Sequence, residues 1–237
     1  MNFAERMSRL GTESAFEVLA RARALERQGK EIVHLEIGEP DFASPDAAIE
    51  AAVAGLRAGL TKYTTSPGFL DLRARISEIE GARRGVRFAP EQVVVTPGGK
   101  PIMFYTILAL AEEGDEVMYP DPGFPIYESM ISFAGARPVP YPLREANGFR
   151  IDLDTLAARI TPRTRLLIVN SPNNPTGGVE PRESLAALAD LVLRSGGAWV
   201  LSDEIYSHFI YEGSHGSIAS FDGMAERTVI LDGFSKT

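Results

Sequence analysis

The chain has 237 residues, enough for one large domain or for one domain with part of another. A hydrophobic fraction of 44% suits a globular core, and a net charge of −8 without a basic run argues against nucleic acid or an anionic membrane as a partner. The sequence has no cysteine, and its three histidines stand at no metal-ligand spacing, so no metal site is expected. No apolar run of 18 residues and no apolar leader are present, which predicts a cytoplasmic protein without a membrane span.

The first part of the chain predicts helices joined by polar turns. An apolar stripe predicts a helix over 14–28, and a short strand is predicted at 32–35. The segment 38–42, GEPDF, is a turn in which Gly38 lets the backbone approach a ligand, although an ordinary turn is the alternative. A second helix begins after Ser44-Pro45, and Tyr63 lies in the polar loop before a third.

A glycine pair follows the next predicted strand. Residues 93–96 are apolar and β-branched and predict a strand, which leads through Gly98, Gly99 and Lys100 into a helix over 100–112. Backbone N–H groups at a helix start favour a phosphate, and the helix dipole adds to this. The spacing fits neither a Walker A loop nor a dinucleotide-binding loop, so the glycine pair alone is weak evidence.

Strands and helices alternate from residue 93 onward. Further strands are predicted at 116–119, 137–141, 165–169, 199–202 and 228–231, with helices at 153–160 and from 181. Such alternation requires right-handed crossovers between parallel strands. The sequence therefore predicts an α/β fold with a mostly parallel sheet flanked by helices.

Polar side chains follow the last three predicted strands. Asn174 lies in the proline-rich loop after the first of these strands, Asp203 and Tyr206 follow the second, and Lys236 follows the third. Taken singly, they are an ordinary turn, a turn cap and a solvated lysine. Because open α/β sheets bind ligands at the carboxyl ends of their strands, the combination predicts one shared site.

Four segments together are similar to a known family. SPNNPTG at 171–177, SDEIY at 202–206, GFSK at 233–236 and GEPDF at 38–42 resemble the class I and II aminotransferases. These are pyridoxal-phosphate enzymes with the aspartate aminotransferase fold. The resemblance covers nearly the whole chain and implies transfer of an amino group between an amino acid and a 2-oxo acid. A lyase or synthase with the same fold and cofactor is the alternative.

The resemblance implies a role for each matching residue around the pyridine ring. Lys236 would form the Schiff base and then act as the catalytic base, and Asp203 would hold the pyridine nitrogen protonated. Asn174 and Tyr206 would hydrogen-bond the ring oxygen, and Asn174 would also contact the substrate. Phe124, which follows the strand at 116–119, would stack on the ring.

The resemblance places phosphate and substrate contacts on other segments. Gly98, Gly99 and Lys100 would form the phosphate-binding turn. Tyr63 would reach the cofactor phosphate of a neighbouring subunit, so a homodimer is expected. Gly38 would lie against the carboxylate of the substrate.

The family pattern continues past the last residue of this sequence. The resemblance therefore implies a truncated copy, with an N-terminal arm and partial small domain at 1–43. An incomplete pyridoxal-phosphate-binding large domain (fold type I) would span 44–237. Gly233 stands where the family often has a serine, and two family arginines, for phosphate and for the substrate carboxylate, would fall outside the chain. An inactive fragment is the second alternative.

Overall fold

The computed structural model describes residues 3–11 and 14–236. Within these ranges, one sheet of five strands forms, and every neighbouring pair in it is parallel. The strands are β1 (Glu116–Asp121), β2 (Arg137–Pro142), β3 (Thr164–Asn170), β4 (Trp199–Asp203) and β5 (Thr228–Leu231). Their order across the sheet is β2-β1-β3-β4-β5, which confirms the predicted α/β class.

Helices precede and separate these strands. They are α1 (Ser14–Glu26), α2 (Asp46–Arg57), α3 (Leu70–Arg84), α4 (Gly99–Leu110), α5 (Ile126–Ala134), α6 (Leu153–Ala157) and α7 (Arg182–Arg194). Gly85 ends α3 in the left-handed conformation, with φ at 69°, and Pro181 caps the start of α7. The sequence did not lead us to predict α5, whose nine residues are mostly apolar or aromatic.

The core occupies both faces of the sheet. Met118 and Leu167 point to the face covered by α6 and α7, whereas Val117 and Leu166 point to the face covered by α4 and α5. All four side chains are at most 2% exposed. Burial on both faces explains why β1 and β3 are nearly continuous apolar runs, because their side chains leave water whichever way they point.

Two predicted strands do not form. Residues 32–35 and 93–96 are without strand pairing, and their apolar side chains stay exposed: Val33 by 82%, Leu35 by 89% and Val94 by 61%. In the second segment, the Val95 backbone N–H donates to the carbonyl of Pro67 at 3.0 Å instead. A β-branched run becomes a strand only beside a neighbour that accepts its hydrogen bonds, and the described residues place none there.

The N-terminal helices contribute little to this core. No residue of α2 is buried, and in α3 only Gly81 and Arg84 are. Among the described residues, no helix is long and apolar enough to cross a bilayer. The boundary expected at residues 43 and 44 stays a prediction.

Candidate active site

The carboxyl ends of the central strands meet at one edge of the sheet. Asp203, the last residue of β4, pairs in register with Asn170 at the end of β3 and with Leu231 at the end of β5. The loops that leave these strands carry the other predicted polar residues. The parallel register therefore brings side chains that are far apart in sequence to one edge.

Asp203 is a buried carboxylate with local hydrogen bonds. It is 2% exposed, and its Oδ2 accepts from the Tyr127 hydroxyl at 2.6 Å, while its Oδ1 accepts from the Ile205 backbone N–H at 3.2 Å. Burial raises the pKa of Asp203 to about 6, and the negative charges of Asp232 and Glu204 also raise it. The hydrogen bonds from Tyr127 and Ile205 lower this pKa but do not outweigh the burial. A cation brought alongside this carboxylate is therefore strongly favoured.

Asn174 and Tyr206 lie together beside Asp203. The Asn174 Nδ2 atom lies 3.4 Å from the Tyr206 hydroxyl. The loop is fixed by Asn170, whose Oδ1 accepts from the Asn174 backbone N–H at 2.8 Å and whose Nδ2 donates to the Asp203 carbonyl at 3.1 Å. Burial, and then the charge of Asp203, raise the pKa of the Tyr206 phenol, so it stays a hydrogen-bond donor at neutral pH.

Lys236 lies in a short 3-10 turn after β5, and it contacts the predicted N-terminal turn. Its Nζ donates to the carbonyl of Gly38 at 2.8 Å, which joins residues 198 positions apart. Gly38, Asn174, Tyr206 and Lys236 line one cleft of about 840 Å³. Four of the predicted site residues therefore share a single concave surface.

The glycine turn lies at the start of α4 as expected, but against another cleft. Gly98 caps the helix with φ at 92°, and α4 begins at Gly99. Both glycines line a cleft of about 590 Å³ with Gly233, rather than the one that holds Asn174. The Lys100 Nζ atom lies 5.7 Å from the centre of the Phe16 ring.

Phe124 lies close to Asp203, whereas Tyr63 lies on the surface away from both clefts. Phe124 follows β1 and packs edge-on against Tyr127, with ring centres 5.9 Å apart, and Tyr127 in turn donates to Asp203. Phe124 is therefore one contact away from the buried carboxylate. Tyr63 lies in the loop between α2 and α3 with its side chain fully exposed, and it lines neither cleft.

Several residues at this sheet edge were missed by the sequence analysis. Tyr127 lies on the unpredicted helix α5, and Asn170 reads only as the end of an apolar run. Arg84, at the end of α3, is 5% exposed and binds carboxylates beside Asp203 and Lys236. The one usable signal was Asn170, because a polar residue that ends a buried strand needs hydrogen-bond partners.

The family of the chain follows from its match to a family model. Residues 30–237 match the model described as aminotransferase class I and II. The chain belongs to the class I and II aminotransferases. Members of this family depend on pyridoxal phosphate.

Individual relatives agree with this assignment. The chain is 41% identical over 236 residues to the arginine–pyruvate transaminase AruH of Pseudomonas aeruginosa, covering 100% of this chain and 60% of that protein. It is 36% identical over 236 residues to a probable aspartate/prephenate aminotransferase of Aquifex aeolicus, covering 99% of this chain and 60% of that protein. These names do not favour the lyase or synthase alternative.

A solved structure has the same fold over the whole chain. The aspartate aminotransferase from Thermus thermophilus with maleate superimposes with a TM-score of 0.95 at 38% identity, covering 100% of this chain and 61% of that one. The chain thus spans about 60% of the length of the relatives it matches.

Proposed function

We propose that the protein is a pyridoxal-phosphate-dependent aminotransferase that moves an amino group between an amino acid and a 2-oxo acid. One observation carries the proposal. The buried carboxylate of Asp203 ends β4, and the amine of Lys236 follows the neighbouring parallel strand β5, at the sheet edge where the Asn174–Tyr206 pair also lies. A buried acid, an amine and two neutral donors are the groups that this cofactor requires.

The residues present fit the cofactor at its pyridine ring. Burial disfavours the charge of Asp203, so the carboxylate gains stability from a protonated pyridine nitrogen held beside it. Held in that form, the ring supplies the electron sink for the reaction when the cofactor is bound. The flat apolar face of Phe124 would cover one side of the ring.

Lys236 would have two tasks. It would link the cofactor covalently, and after release it would move the proton at the Cα atom of the substrate. Its Nζ lies 2.8 Å from the Gly38 carbonyl, and Gly38 belongs to the turn proposed to face the substrate carboxylate. Asn174 and the neutral Tyr206 phenol would donate to the ring oxygen, and Asn174 would also contact the substrate.

The remaining proposed roles concern the cofactor phosphate and a second subunit. Gly98, Gly99 and Lys100 would bind the phosphate at the start of α4, where backbone N–H groups and the helix dipole favour an anion. In a homodimer, Tyr63 would reach the cofactor of the other subunit, which agrees with its exposed side chain. The cytoplasmic location expected from the sequence stays a prediction.

A trapping experiment tests the site. The gene product is loaded with pyridoxal phosphate, reduced with borohydride and digested, and the modified lysine is identified by mass spectrometry. We expect the label on Lys236, and we expect Lys236→Ala to lose both the label and all transamination. Lys30→Ala removes an exposed lysine elsewhere and serves as the control. Label on other lysines with Lys236 unmodified contradicts the site.

A product assay tests the reaction class. Candidate amino acids are supplied with and without a 2-oxo acid acceptor. A transaminase yields a new amino acid only when the acceptor is present, because the amino group must be passed on. Ammonia released without any acceptor would indicate elimination and would contradict the proposed reaction.

A further inference from the structure

We propose that Arg84 is a positioning residue for the cofactor site. Its guanidinium joins Glu204 and Asp232, the residues that directly follow β4 and β5, and its positive charge balances these two carboxylates. The inference rests on the proposed function, since it concerns the same site. It adds helix α3 to the elements on which the site depends.

The contacts of Arg84 join three elements. Its side chain is fully buried at the last residue of α3. Its Nε donates to Oε2 of Glu204 at 2.6 Å, and its Nη2 donates to Oδ2 of Asp232. Its Nη1 donates to Glu80, one turn earlier on the same helix. A planar fork of donors suits several carboxylates at once, which a lysine amine does not reproduce.

The two strand-end carboxylates are adjacent to the site in sequence and in register. Glu204 directly follows Asp203, and Asp232 directly follows Leu231, the register partner of Asp203. The Glu204 backbone N–H also donates to the Leu231 carbonyl at 2.9 Å. Since Lys236 is only four residues past Asp232, a shift of either carboxylate would move a group proposed to hold the cofactor.

Glu204 is held in its charged form. Its Oε1 accepts from the hydroxyls of Ser202 at 2.8 Å and Ser217 at 2.6 Å, and its Oε2 lies 2.9 Å from Nε2 of His215. Burial opposes the charge, but the His215 hydrogen bond and the Arg84 charge outweigh it and lower the pKa of Glu204. The carboxylate beside Asp203 is therefore ionised at neutral pH.

Arg84 keeps these negative charges from dominating the site. Asp232 also binds Arg83, whose Nη2 donates to Oδ2 at 3.0 Å, but the Arg83 side chain is 26% exposed and more screened by water. Removing Arg84 would take away the guanidinium that pairs with the buried Glu204, whose negative charge already acts on Asp203. A more negative potential favours the protonated form of any titrating nitrogen of the bound cofactor.

The test uses the pH dependence of the absorbance of the bound cofactor. Arg84→Gln removes a positive charge, so the protonated form of the cofactor nitrogen is favoured. We expect the pH midpoint of its titration to rise by roughly half a unit or more. Glu204→Gln removes a negative charge, and we expect the midpoint to fall by a similar amount. Arg75→Gln, an exposed residue of α3 that pairs with Glu78, is the matched control and should titrate like the parent.

A conservative variant separates charge from geometry. Arg84→Lys keeps the charge and loses the fork, so we expect a midpoint near that of the parent and cofactor binding several-fold weaker. If the network were only structural, the Arg84 and Glu204 substitutions would lower the melting temperature. They would leave the midpoint of the cofactor absorbance titration unchanged. That result overturns the inference. Failure of both glutamine variants to fold also overturns it, because it assigns the network to folding alone.

The outcome also distinguishes this inference from the proposed function. If the parent protein shows no cofactor linked to Lys236, the proposed function fails. If the parent is loaded at Lys236 and the midpoints do not move in opposite directions, only the role of Arg84 fails.

Discussion

Asp203 places an unfavourable charge at the centre of the candidate site. The rise of its pKa from 3.8 to about 6 corresponds to roughly 3 kcal/mol at about 1.4 kcal/mol per unit. Burial is the main cause, so this free energy opposes folding in the absence of a cation. A pyridinium bound beside Asp203 would offset this cost, so the same residue would strengthen cofactor binding.

The pH dependence of the cofactor-free protein follows from this shift. Between pH 4 and 6 the folded state keeps the Asp203 proton that the unfolded state has lost, so raising the pH favours unfolding. At pH 8 we expect Asp203→Asn to be more stable than the parent by up to roughly 3 kcal/mol in urea denaturation. The difference should vanish near pH 4. Asp190→Asn, at an exposed position of α7, is the control.

A different pattern would contradict this account of Asp203. If Asp203→Asn loses the same stability at pH 4 and at pH 8, its hydrogen bonds to Tyr127 and Ile205 matter more than its charge. Added pyridoxal phosphate should reverse the order of the two proteins at pH 8, because only the parent gains the ion pair.

Some residues of the candidate site were predictable from the sequence, and others were not. Asp203 and Lys236 follow apolar strands inside family segments, so position in the chain was enough to find them. Tyr127 and Arg84 could not be found this way. Each becomes a site neighbour only through packing of a helix against the sheet edge, and neither has a local sequence signal for that contact.

Among the elements, the start of α4 depends on a glycine conformation. Gly98 has φ at 92°, and a Cβ added there would meet nothing within 4 Å, so the cost of Gly98→Ala is that of the backbone alone. With ψ at 175° this conformation is almost restricted to glycine, so we expect a loss of roughly 1–3 kcal/mol in unfolding free energy. Cofactor affinity should fall as well if the helix start holds the phosphate.

Gly55→Ala is the matched control for this element. Gly55 lies inside α2 without a positive φ, and its added Cβ would make ordinary contact with Leu60 at 3.6 Å. Alanine in a helix interior should raise stability by roughly 0.5–1 kcal/mol. Equal effects of the two substitutions would contradict the role of the Gly98 conformation.

The elements themselves were predictable where both faces are buried. β1, β3 and β4 are mostly buried apolar runs, as expected for parallel strands covered by helices, and all three form as predicted. The run at 93–96 has the same local pattern and stays unpaired, because pairing depends on a neighbour that the run itself does not encode. α5 was missed because its aromatic and β-branched residues fit a strand as well as a helix.

At the scale of the whole molecule, an apolar surface remains near Tyr63. Between residues 49 and 72 several large apolar side chains stay exposed, among them Leu56 by 64%, Leu60 by 68% and Phe69 by 52%. A contiguous apolar patch is typical of an association surface, and we propose that these side chains form one. Since Tyr63 lies in the same segment, the surface supports the proposal that a second copy of the chain packs here.

We therefore expect the gene product to sediment as a dimer, and we expect Leu60→Glu to shift it towards the monomer. A carboxylate at this position would have to be buried without a partner in the dimer, which disfavours association. Pyridoxal-phosphate affinity should fall together with dimerisation, because Tyr63 would come from the other subunit. Leu193→Glu, at a 38% exposed position of α7, should change neither quantity. A parent that sediments as a monomer yet binds the cofactor fully would contradict the proposed role of Tyr63.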